Sequence, residues 1–508
     1  MHWADIFAKQ VVEKREKEEY VVESGITPSG IIHIGNCREI LTQYFVYLGI
    51  LKLGKKAKFI YIWDDFDRFR KVPKGIPENF KDYIGMPVSF VPDPWNCHKS
   101  YAEHFESNLE EETKKIGIEP KYFSATELYK NGTFIENIRI ALEKTEKIKE
   151  ILNKFRLEPL PNDWLPINLY CEKCGKDFTK IKYLGDYKIS YKCDCGFENE
   201  IDFRKRRIVK LKWRVDWASR WAYFKVDFES SGKEHKSKGG SFDTSILISK
   251  EIFNYDPPIG PMYEFIHLKG QKEKMSSSKG NVATISQLLK IFEPPIIRFL
   301  YTQRLNKTIF IPFDLDIYNI YNDFDKSERV YFGLEKGDED LKRKYELSKI
   351  EDYSKCPKRI SFSELVFIVQ FVPKEKLREY LKNLMLLRDV EMDKQDLDLA
   401  LERAERAKYW VENYAPEEVK IKLSSEKIDL TKEQKEILFE LLEIIKKESS
   451  TEELQKQIFE IAKRRGNEVF KIGYLVLIGK KYGPKLAMLI DAIGREKVIE
   501  RFLELLDY

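Results

Sequence analysis

A run of glycines and hydrogen-bonding side chains lies near the start of the chain. It reads Ser24-Gly25-Ile26-Thr27-Pro28-Ser29-Gly30-Ile31-Ile32-His33-Ile34-Gly35-Asn36. A strand-like apolar run precedes it and helical spacing follows it, so we predict a strand-to-helix turn. A helix N-terminus offers unpaired N–H groups and partial positive charge to phosphate oxygens. His33 and Asn36 are therefore candidate phosphate or ribose ligands, and a capped helix with an ordinary histidine is the alternative.

A second polar loop carries four lysines and three serine hydroxyls. It reads Lys269-Gly270-Gln271-Lys272-Glu273-Lys274-Met275-Ser276-Ser277-Ser278-Lys279-Gly280-Asn281 and follows the strand-like run 262–268. Lysines on such a loop suit a triphosphate, because negative charge grows on the leaving pyrophosphate. A charge run taken alone is more often a solvated loop, so this loop is informative only together with the first motif.

Periodicity predicts the elements that must position these motifs. Residues 5–19 read as a helix, 20–23 as a strand, 38–53 as a helix and 57–63 as a second strand. This order is a βαβ unit, which predicts a parallel sheet with ligands at the carboxyl ends of its strands. Asp64, Asp65 and Asp67 follow the second strand, where they either face that crevice or cap a loop and helix. No Arg or Lys lies between Tyr20 and Ile32, so the pocket suits a cationic or neutral substrate.

Two groups of residues have the types and spacing of zinc ligands. The first is a CxxC…CxC pattern, Cys171, Cys174, Cys193 and Cys195, which is typical of a zinc ribbon built on hairpin turns. The second places Asp93, Cys97, His98 and His104 within twelve residues, and zinc accepts all of these side chains. For the second group, surface histidines on a capped helix are the alternative interpretation.

Bulk composition indicates a multidomain protein. At 508 residues, with 43% hydrophobic and 34% charged residues and a net charge of +5, the chain should form two to four domains with local basic patches. It has no apolar run of membrane-spanning length and no signal-peptide pattern, so we expect a cytoplasmic protein without membrane contact.

Taken together, His33-Ile34-Gly35-Asn36 and Lys274-Met275-Ser276-Ser277-Ser278 resemble the two signature motifs of class I aminoacyl-tRNA synthetases. Stretches between them resemble the archaeal-type class I lysyl enzymes: Trp63-Asp64-Asp65-Phe66-Asp67-Arg68-Phe69-Arg70-Lys71-Val72-Pro73, Trp213-Arg214-Val215-Asp216-Trp217 and Gly232-Lys233-Glu234-His235-Lys236-Ser237-Lys238-Gly239-Gly240. The resemblance implies an α/β fold, with a Rossmann-like parallel-sheet catalytic domain, a zinc-ribbon insertion and an all-α C-terminal anticodon-binding domain. The implied boundaries are 1–155 and 211–290 for the catalytic domain, 156–210 for the insertion, 291–340 for a connective domain and 341–508 for the helical domain.

The resemblance also implies an activity, the ATP-dependent ligation of L-lysine to tRNA(Lys) through a lysyl-adenylate. It implies Mg-ATP, one or two structural zinc ions and a tRNA(Lys) partner, with the 93–104 group as an acid-and-histidine zinc site. The implied ATP ligands are Pro28, Ser29, Gly30, His33, Gly35, Asn36, Met275, Ser276, Ser277, Ser278 and Lys279. The implied lysine ligands are Gly25, Thr27, Asp65, Trp213, His235 and Tyr263. His33, Asn36, Lys274 and Lys279 are the implied catalytic residues, and Ser277 stands where a second lysine is usual, so either lysine could neutralise the pyrophosphate.

Helical periodicity dominates the C-terminal part. It predicts helices over 364–372, 374–387, 396–414, 432–449, 452–465, 467–480 and 485–506, and an earlier stretch, 134–155, is also predicted to be helical. Arg464, Arg465, Lys480 and Lys481 are candidate RNA contacts or solvated charges, as is the basic run 204–207. Alternative functions are a class I synthetase for arginine, cysteine or glutamate, a small-molecule nucleotidyltransferase, or a catalytically idle tRNA-binding relative.

Overall fold

The computed structural model describes residues 1–270, 282–420, 424, 428–481, 483 and 485–506. The chain divides into two compact units. Unit 1 comprises Met1–Leu289, Pro294–Ile311 and Ser327–Asp352, and unit 2 comprises Lys290–Glu293, Pro312–Lys326 and Tyr353–Tyr508. The signature-loop residues predicted above, from Lys274 to Lys279, lie outside the described residues.

Unit 1 mixes helices with short strands. Its helices are α1 (Trp3–Lys14), α2 (Ile34–Lys52), α3 (Tyr101–Lys115), α4 (Ala125–Lys130), α5 (Ile135–Glu143), α6 (Thr145–Asn153), α7 (Trp213–Phe224), α8 (Ser241–Glu251), α9 (Ile285–Leu289), α10 (Pro294–Tyr301), the end of α11 (Ile317–Tyr331), and α12 (Glu339–Ser348). Its strands are β1 (Glu19–Ile26), β2 (Lys56–Trp63), β3 (Lys121–Ser124), β4 (Ile167–Leu169), β5 (Thr179–Gly185), β6 (Lys188–Cys193), β7 (Glu198–Asp202), β8 (Val209–Leu211), β9 (Ser231–Gly232), β10 (Met262–Tyr263), β11 (Ile266–Leu268) and β12 (Ile309–Ile311).

The central sheet of unit 1 is parallel, as the βαβ pattern predicts. β1 pairs with β2, and β2 pairs with β3. Parallel bridges from Val22 to Phe228 and from Phe228 to Ile259 extend the sheet beyond β1. The register places Ile26 opposite Trp63, and Trp63 opposite Ser124, so the carboxyl ends of all three strands lie at one edge. Helix α2 returns the chain from that edge to the start of β2.

The predicted ribbon region is an antiparallel insertion in unit 1. β5, β6 and β7 form a three-stranded sheet, and β4 pairs with β8 at the base. Ile189, Leu211 and Ile151 share one buried core, so the insertion packs against α5 and α6. The stretch 134–155, predicted to be helical, is helical and is divided at Lys144 into α5 and α6.

Unit 2 is helical. Its helices are the start of α11, α13 (Phe362–Ile368), α14 (Lys374–Leu386), α15 (Lys394–Asn413), α16 (Lys432–Ile445), α17 (Thr451–Arg465), α18 (Glu468–Ile478), α19 (Leu486–Ile493) and α20 (Arg495–Leu506). The prediction of one helix over 485–506 is wrong. Gly494 has φ of +96°, which interrupts the helix between α19 and α20.

The first predicted helix, over residues 5–19, is also misplaced. Helix α1 ends at Lys14, and Arg15 is extended, with its guanidinium donating to Asp227 at 2.9 Å. Glu19 already belongs to β1. Among the described residues, none of the helices combines the length and apolar character that crossing a membrane requires.

Candidate functional site

A cavity of about 1100 Å³ opens at the carboxyl edge of the central sheet. Residues from the glycine-rich turn, the segment after β2, helix α7 and the chain around β9 and β10 line it. It brings together many residues that the sequence predicted to act together: Gly25, Thr27, Ser29, His33, Gly35, Asn36, Trp213, His235 and Tyr263. Pro28 and Gly30 belong to the same turn without lining the cavity.

His33 is the N-cap of α2. Its Nδ1 accepts a hydrogen bond from the Gly35 N–H at 3.1 Å, and its own N–H donates to Asn36 Oδ1 at 3.2 Å. Because Nδ1 is an acceptor, the proton of the neutral ring lies on Nε2. The same residues therefore cap the helix and present a donor at its positive end, where an anion is stabilised.

Gly25 allows β1 and β2 to approach closely beneath the cavity. A Cβ atom on Gly25 would lie 2.5 Å from the backbone oxygen of Ile62. No larger residue fits there unless the two strands separate, which would displace the turn that follows β1.

Four carboxylates form the cavity floor, which we define as the buried Glu23, Asp64 and Glu229 and the half-buried Glu39. The Glu23 N–H donates to the Phe228 carbonyl at 3.0 Å, so Glu23 and Glu229 lie on neighbouring segments. Burial and then the charge of Glu229 raise the pKa of both Glu23 and Glu39. Burial raises the pKa of Glu229 to about 7 and that of Asp64 to about 6.

Arg220 compensates part of the negative charge of the floor. Arg220 forms ion pairs with Asp64 and with Asp216, the latter at 2.8 Å. Glu23 Oε2 is buried and lacks a hydrogen-bond partner among the described residues. A buried acceptor without a partner costs free energy unless a ligand supplies a donor. The floor is therefore suited to a cationic group.

Tryptophans of α7 form one wall. Trp213 and Trp217 stack with centroids 4.8 Å apart, and the Trp217 and Trp221 indole N–H groups donate to Glu229 Oε2. Trp217 and Trp221 are buried, so their role is partly core packing, as helical spacing suggests. Trp213 lines the cavity. The His235 ring lies edge-on to Trp217, with centroids 5.7 Å apart.

The structure does not bring Asp65 to the cavity. Its carboxylate accepts hydrogen bonds from Ser124 Oγ at 2.5 Å and from the Thr126 N–H at 2.7 Å, which ties the loop after β2 to the start of α4. Its neighbours do reach the cavity. Asp64 joins the floor, and Asp67 accepts from Thr27 Oγ1 at 2.9 Å and forms an ion pair with Lys210 at 2.8 Å.

We expect Asp65→Asn to lower stability without changing lysine use. The substitution replaces one accepting oxygen by a donor beside Ser124 and Thr126, which costs about 1–3 kcal/mol. Thermal unfolding measures the loss, and steady-state charging measures the KM for lysine. A raised KM with unchanged stability would contradict the structural role.

The four ribbon cysteines form a compact thiol cluster. Cys171 Sγ and Cys195 Sγ are 3.7 Å apart, and Cys174 Sγ and Cys193 Sγ are 3.6 Å apart. None of these four cysteines forms a disulfide. Tetrahedral coordination at a Zn–S distance of about 2.3 Å sets the sulfur–sulfur edges near 3.8 Å, so the cluster fits zinc.

The second group of predicted metal ligands also converges. One ligand atom from each of Asp93, Cys97, His98 and His104 lies within 4.8 Å of the others. Cys97 Sγ is 3.1 Å from His98 Nδ1 and 3.3 Å from His104 Nδ1. The donor set of one carboxylate, one thiol and two imidazoles fits a four-coordinate zinc ion.

Two models of known protein families match most of the chain. A family model described as tRNA synthetases class I (K) matches residues 1–351, and a model described as an anticodon binding domain matches residues 366–506. The chain belongs to the class I tRNA synthetases. The synthetase fold predicted from the sequence, with its parallel-sheet domain and helical C-terminal domain, is confirmed.

Curated relatives match this synthetase along its whole length. Proteins named "Lysine--tRNA ligase" are 44% identical in Pyrococcus horikoshii, over 99% of both chains, and 39% identical in Borrelia garinii subsp. bavariensis, over 99% of both chains. The solved glutamate tRNA ligase of Elizabethkingia meningosepticum aligns at 15% identity and a TM-score of 0.47, covering 97% of this chain and 99% of that chain. That structural likeness is too weak to add to the family assignment.

Of the floor of the synthetase cavity, sequence reasoning placed only Asp64 at the crevice. Glu23 and Glu229 were not predicted as site residues, and neither were Arg68, Arg70 and Lys71, which line the cavity after β2. The available signal was Glu23 itself, a charged residue inside an otherwise apolar strand. Its partner Glu229 lies about two hundred residues later, where no local pattern connects the two.

The predicted RNA-contact residues are largely engaged with acids or carbonyl groups. In unit 2, Arg464 and Arg465 form ion pairs with Glu440 at 2.9 and 2.8 Å, and Lys480 donates to the Glu418 carbonyl at 3.1 Å. Lys481 is exposed. In the basic run of unit 1, Arg204 pairs with Asp202 at 2.6 Å, Arg206 pairs with Glu172 at 3.2 Å, and Arg207 donates to a backbone carbonyl.

Proposed function

We propose that this synthetase attaches L-lysine to tRNA(Lys) in an ATP-dependent reaction through a lysyl-adenylate. Its full-length likeness to proteins named lysine--tRNA ligase supports the reaction. The acidic floor supports lysine as the amino-acid substrate, because a lysine side chain ends in an ammonium group with three donors. The buried, unpartnered Glu23 Oε2 is the observation that carries this choice. A synthetase for glutamate would need a cation there to meet the substrate carboxylate.

In this proposal lysine enters with its ammonium group on the floor. Glu23 and Glu229 accept its hydrogen bonds, and Trp213 covers the alkyl chain, where an aromatic face also attracts a cation. Gly25, Thr27, His235 and Tyr263 surround the α-amino and carboxylate end. Asp65 has no part in this pocket because Ser124 and Thr126 occupy its carboxylate.

The lysine carboxylate then attacks the α-phosphate of Mg-ATP in line, and pyrophosphate leaves. Positioning and charge stabilisation carry such a step, with no covalent bond to the enzyme. His33 Nε2–H, Asn36 and the backbone of Gly35 donate to the phosphates at the start of α2, with Ser29 beside them. Met275 to Lys279 contribute from the signature loop, with Lys274 or Lys279 neutralising the pyrophosphate.

A hydroxyl of the terminal tRNA adenosine next attacks the adenylate carbonyl and releases AMP. The domains divide this work: residues 1–155 and 211–290 hold the small substrates, 156–210 form the ribbon, 291–340 connect, and 341–508 read the anticodon. Zinc ions held by the two ligand groups would fix the ribbon and the loop before α3.

Aminoacylation of total tRNA with lysine, arginine, glutamate and cysteine tests the proposal. Charging with lysine alone is expected. Charging with arginine, glutamate or cysteine would contradict the assignment of the lysine pocket, and the membership of the synthetase family would still hold. Binding of tRNA without ATP consumption would identify an idle relative.

We expect Cys174→Ser to remove one zinc equivalent per chain and to destabilise the ribbon. A four-cysteine site loses its closed coordination when one thiolate is removed, and structural zinc contributes directly to folding. Elemental analysis of the purified protein measures the zinc content. Cys356→Ser is the matched control, since that cysteine belongs to unit 2 and lies outside both ligand groups. Equal zinc content in the two variants would contradict the assignment.

A further inference from the structure

A second groove of about 680 Å³ lies beside the catalytic cavity in unit 1. The chain after α6, Trp164 and the start of α7 line it. Trp213 and Arg214 line both the groove and the catalytic cavity, so the two spaces share a wall. Apart from Trp213 on the shared wall, the proposed lysine and ATP contacts do not use residues of the groove. We call it the side groove.

Within the described part of the chain, none of the cations lining the side groove forms an ion pair with a carboxylate. The Lys212 ammonium lies 4.8 Å from the centre of the Trp164 ring, and it forms no hydrogen bond or ion pair with the described residues. Arg156 is exposed and donates to the Glu158 backbone carbonyl at 3.1 Å. Arg214 donates to the Gly239 carbonyl at 2.9 Å and to Thr244 Oγ1 at 3.0 Å, which fixes its position without neutralising it.

Arg156 and Arg214 repel each other across the groove, and Lys212 lies partly buried beside them. Burial and then the charge of Arg156 lower the pKa of Arg214, and burial lowers the pKa of Lys212 to about 8. The acids nearby are Glu158, which lines the groove, and Asp163, which acts on Lys212 from a distance. An anion placed between the cations would relieve this repulsion.

Apolar and aromatic side chains alternate with these cations. Leu157 is fully exposed and Phe155 is 37% exposed. Gly239 packs so closely that a Cβ atom there would lie 2.5 Å from Phe155 Cβ, which joins the loop carrying His235 to the groove wall. Cations interleaved with exposed aromatic rings are the usual surface for single-stranded nucleic acid, because phosphates pair with the cations and bases stack on the rings.

We propose that the side groove binds the unpaired 3′ end of the tRNA and leads its terminal adenosine past Trp213 and Arg214 to the catalytic cavity. Arg156 and Lys212 hold backbone phosphates, and Trp164 and Phe155 hold bases. This inference rests on the proposed function, since it requires a tRNA substrate. It adds the residues that bind the end of the tRNA at which the amino acid is attached.

A binding cycle with full-length enzyme tests the side groove. Dissociation constants are measured for intact tRNA(Lys) and for the same tRNA lacking its last four nucleotides. In the wild type the truncation should weaken binding. In Arg156→Gln/Lys212→Gln, binding of intact tRNA should weaken about tenfold, and binding of truncated tRNA should stay at the wild-type value. Loss of two phosphate contacts should also lower the salt dependence for intact tRNA by about 1.4 in log–log slope.

Matched controls distinguish the loss of contacts in the side groove from a general loss of positive charge. Lys55→Gln/Lys56→Gln removes two lysines at the amino end of β2, opposite the cavity, and should leave both dissociation constants unchanged. Arg156→Glu changes an exposed residue, so it preserves the fold and should weaken binding of intact tRNA further.

Three results would overturn the proposal. Equal weakening of both tRNAs would show a long-range charge effect, and no weakening of either would show that the 3′ end lies elsewhere. A raised KM for ATP with unchanged tRNA binding would assign the groove to the nucleotide. Failure of the wild type to charge any tRNA would instead overturn the proposed function itself.

Discussion

Replacing His33 with alanine is expected to lower kcat for lysine activation by about 100- to 1000-fold, the usual effect of removing one donor from a developing phosphate charge. The donor is Nε2–H, because Nδ1 is occupied by the Gly35 N–H. The KM for ATP should change little, since the donor acts mainly on charge that appears in the transition state. ATP–pyrophosphate exchange in the presence of tRNA(Lys) measures the effect.

The control for this variant must separate catalysis from helix capping. Alanine also removes the N-cap of α2, which costs about 1 kcal/mol of stability. His33→Asn retains a capping side chain, so it should unfold at the wild-type temperature and still lose most of the rate. If His33→Asn restored full activity, the histidine would serve only as a cap.

Replacing Glu23 with glutamine should raise the KM for lysine by about 10- to 100-fold, which corresponds to a lost charge-assisted hydrogen bond of 1.5–3 kcal/mol. The ammonium group then meets a neutral amide at Glu23 and keeps only Glu229 as a charged partner. The KM for ATP should be unchanged. Steady-state charging at varied lysine measures both values, and Asp65→Asn serves as the matched control because it changes a buried carboxylate outside the cavity.

The same floor makes lysine binding depend on pH. Glu229, with its pKa raised to about 7, is increasingly charged as the pH rises from 6 to 8. The charged form binds an ammonium group, so the KM for lysine should fall over that range. The stability of the free enzyme changes in the other direction. The folded state keeps the Glu229 proton at pH values where the unfolded chain has already lost it, so the free energy of unfolding decreases as the pH rises towards 7. A KM for lysine that rose with pH would contradict the proposed contact.

Local pattern was enough to predict the elements that present the site. Apolar runs and helical spacing predicted β1, α2 and β2, and the spacing of the ribbon cysteines predicted a cluster that the fold brings together. Both follow from residues close in sequence, whose relative positions are set by one turn or one hairpin.

Features that depend on contacts between residues far apart in sequence could not be predicted from local pattern. Glu23 and Glu229 meet only because Phe228 pairs with Val22 across the sheet. From the sequence alone, Asp65 could face either the crevice or α4. The hydrogen bond from Ser124, which is distant in sequence, decides between the two. The break at Gly494 is local, but glycine is tolerated inside helices, and only the backbone angle shows that this one ends a helix.

The contact between the tryptophans and Glu229 has a practical consequence. Two indole N–H groups share one carboxylate oxygen, so the electronic environment of Trp217 and Trp221 follows the charge state of the cavity floor. The molecule therefore carries an intrinsic fluorescent reporter. Adding lysine should shift tryptophan emission in the wild type and shift it less in Glu23→Gln, which gives a titration of amino-acid binding that requires no turnover and no label.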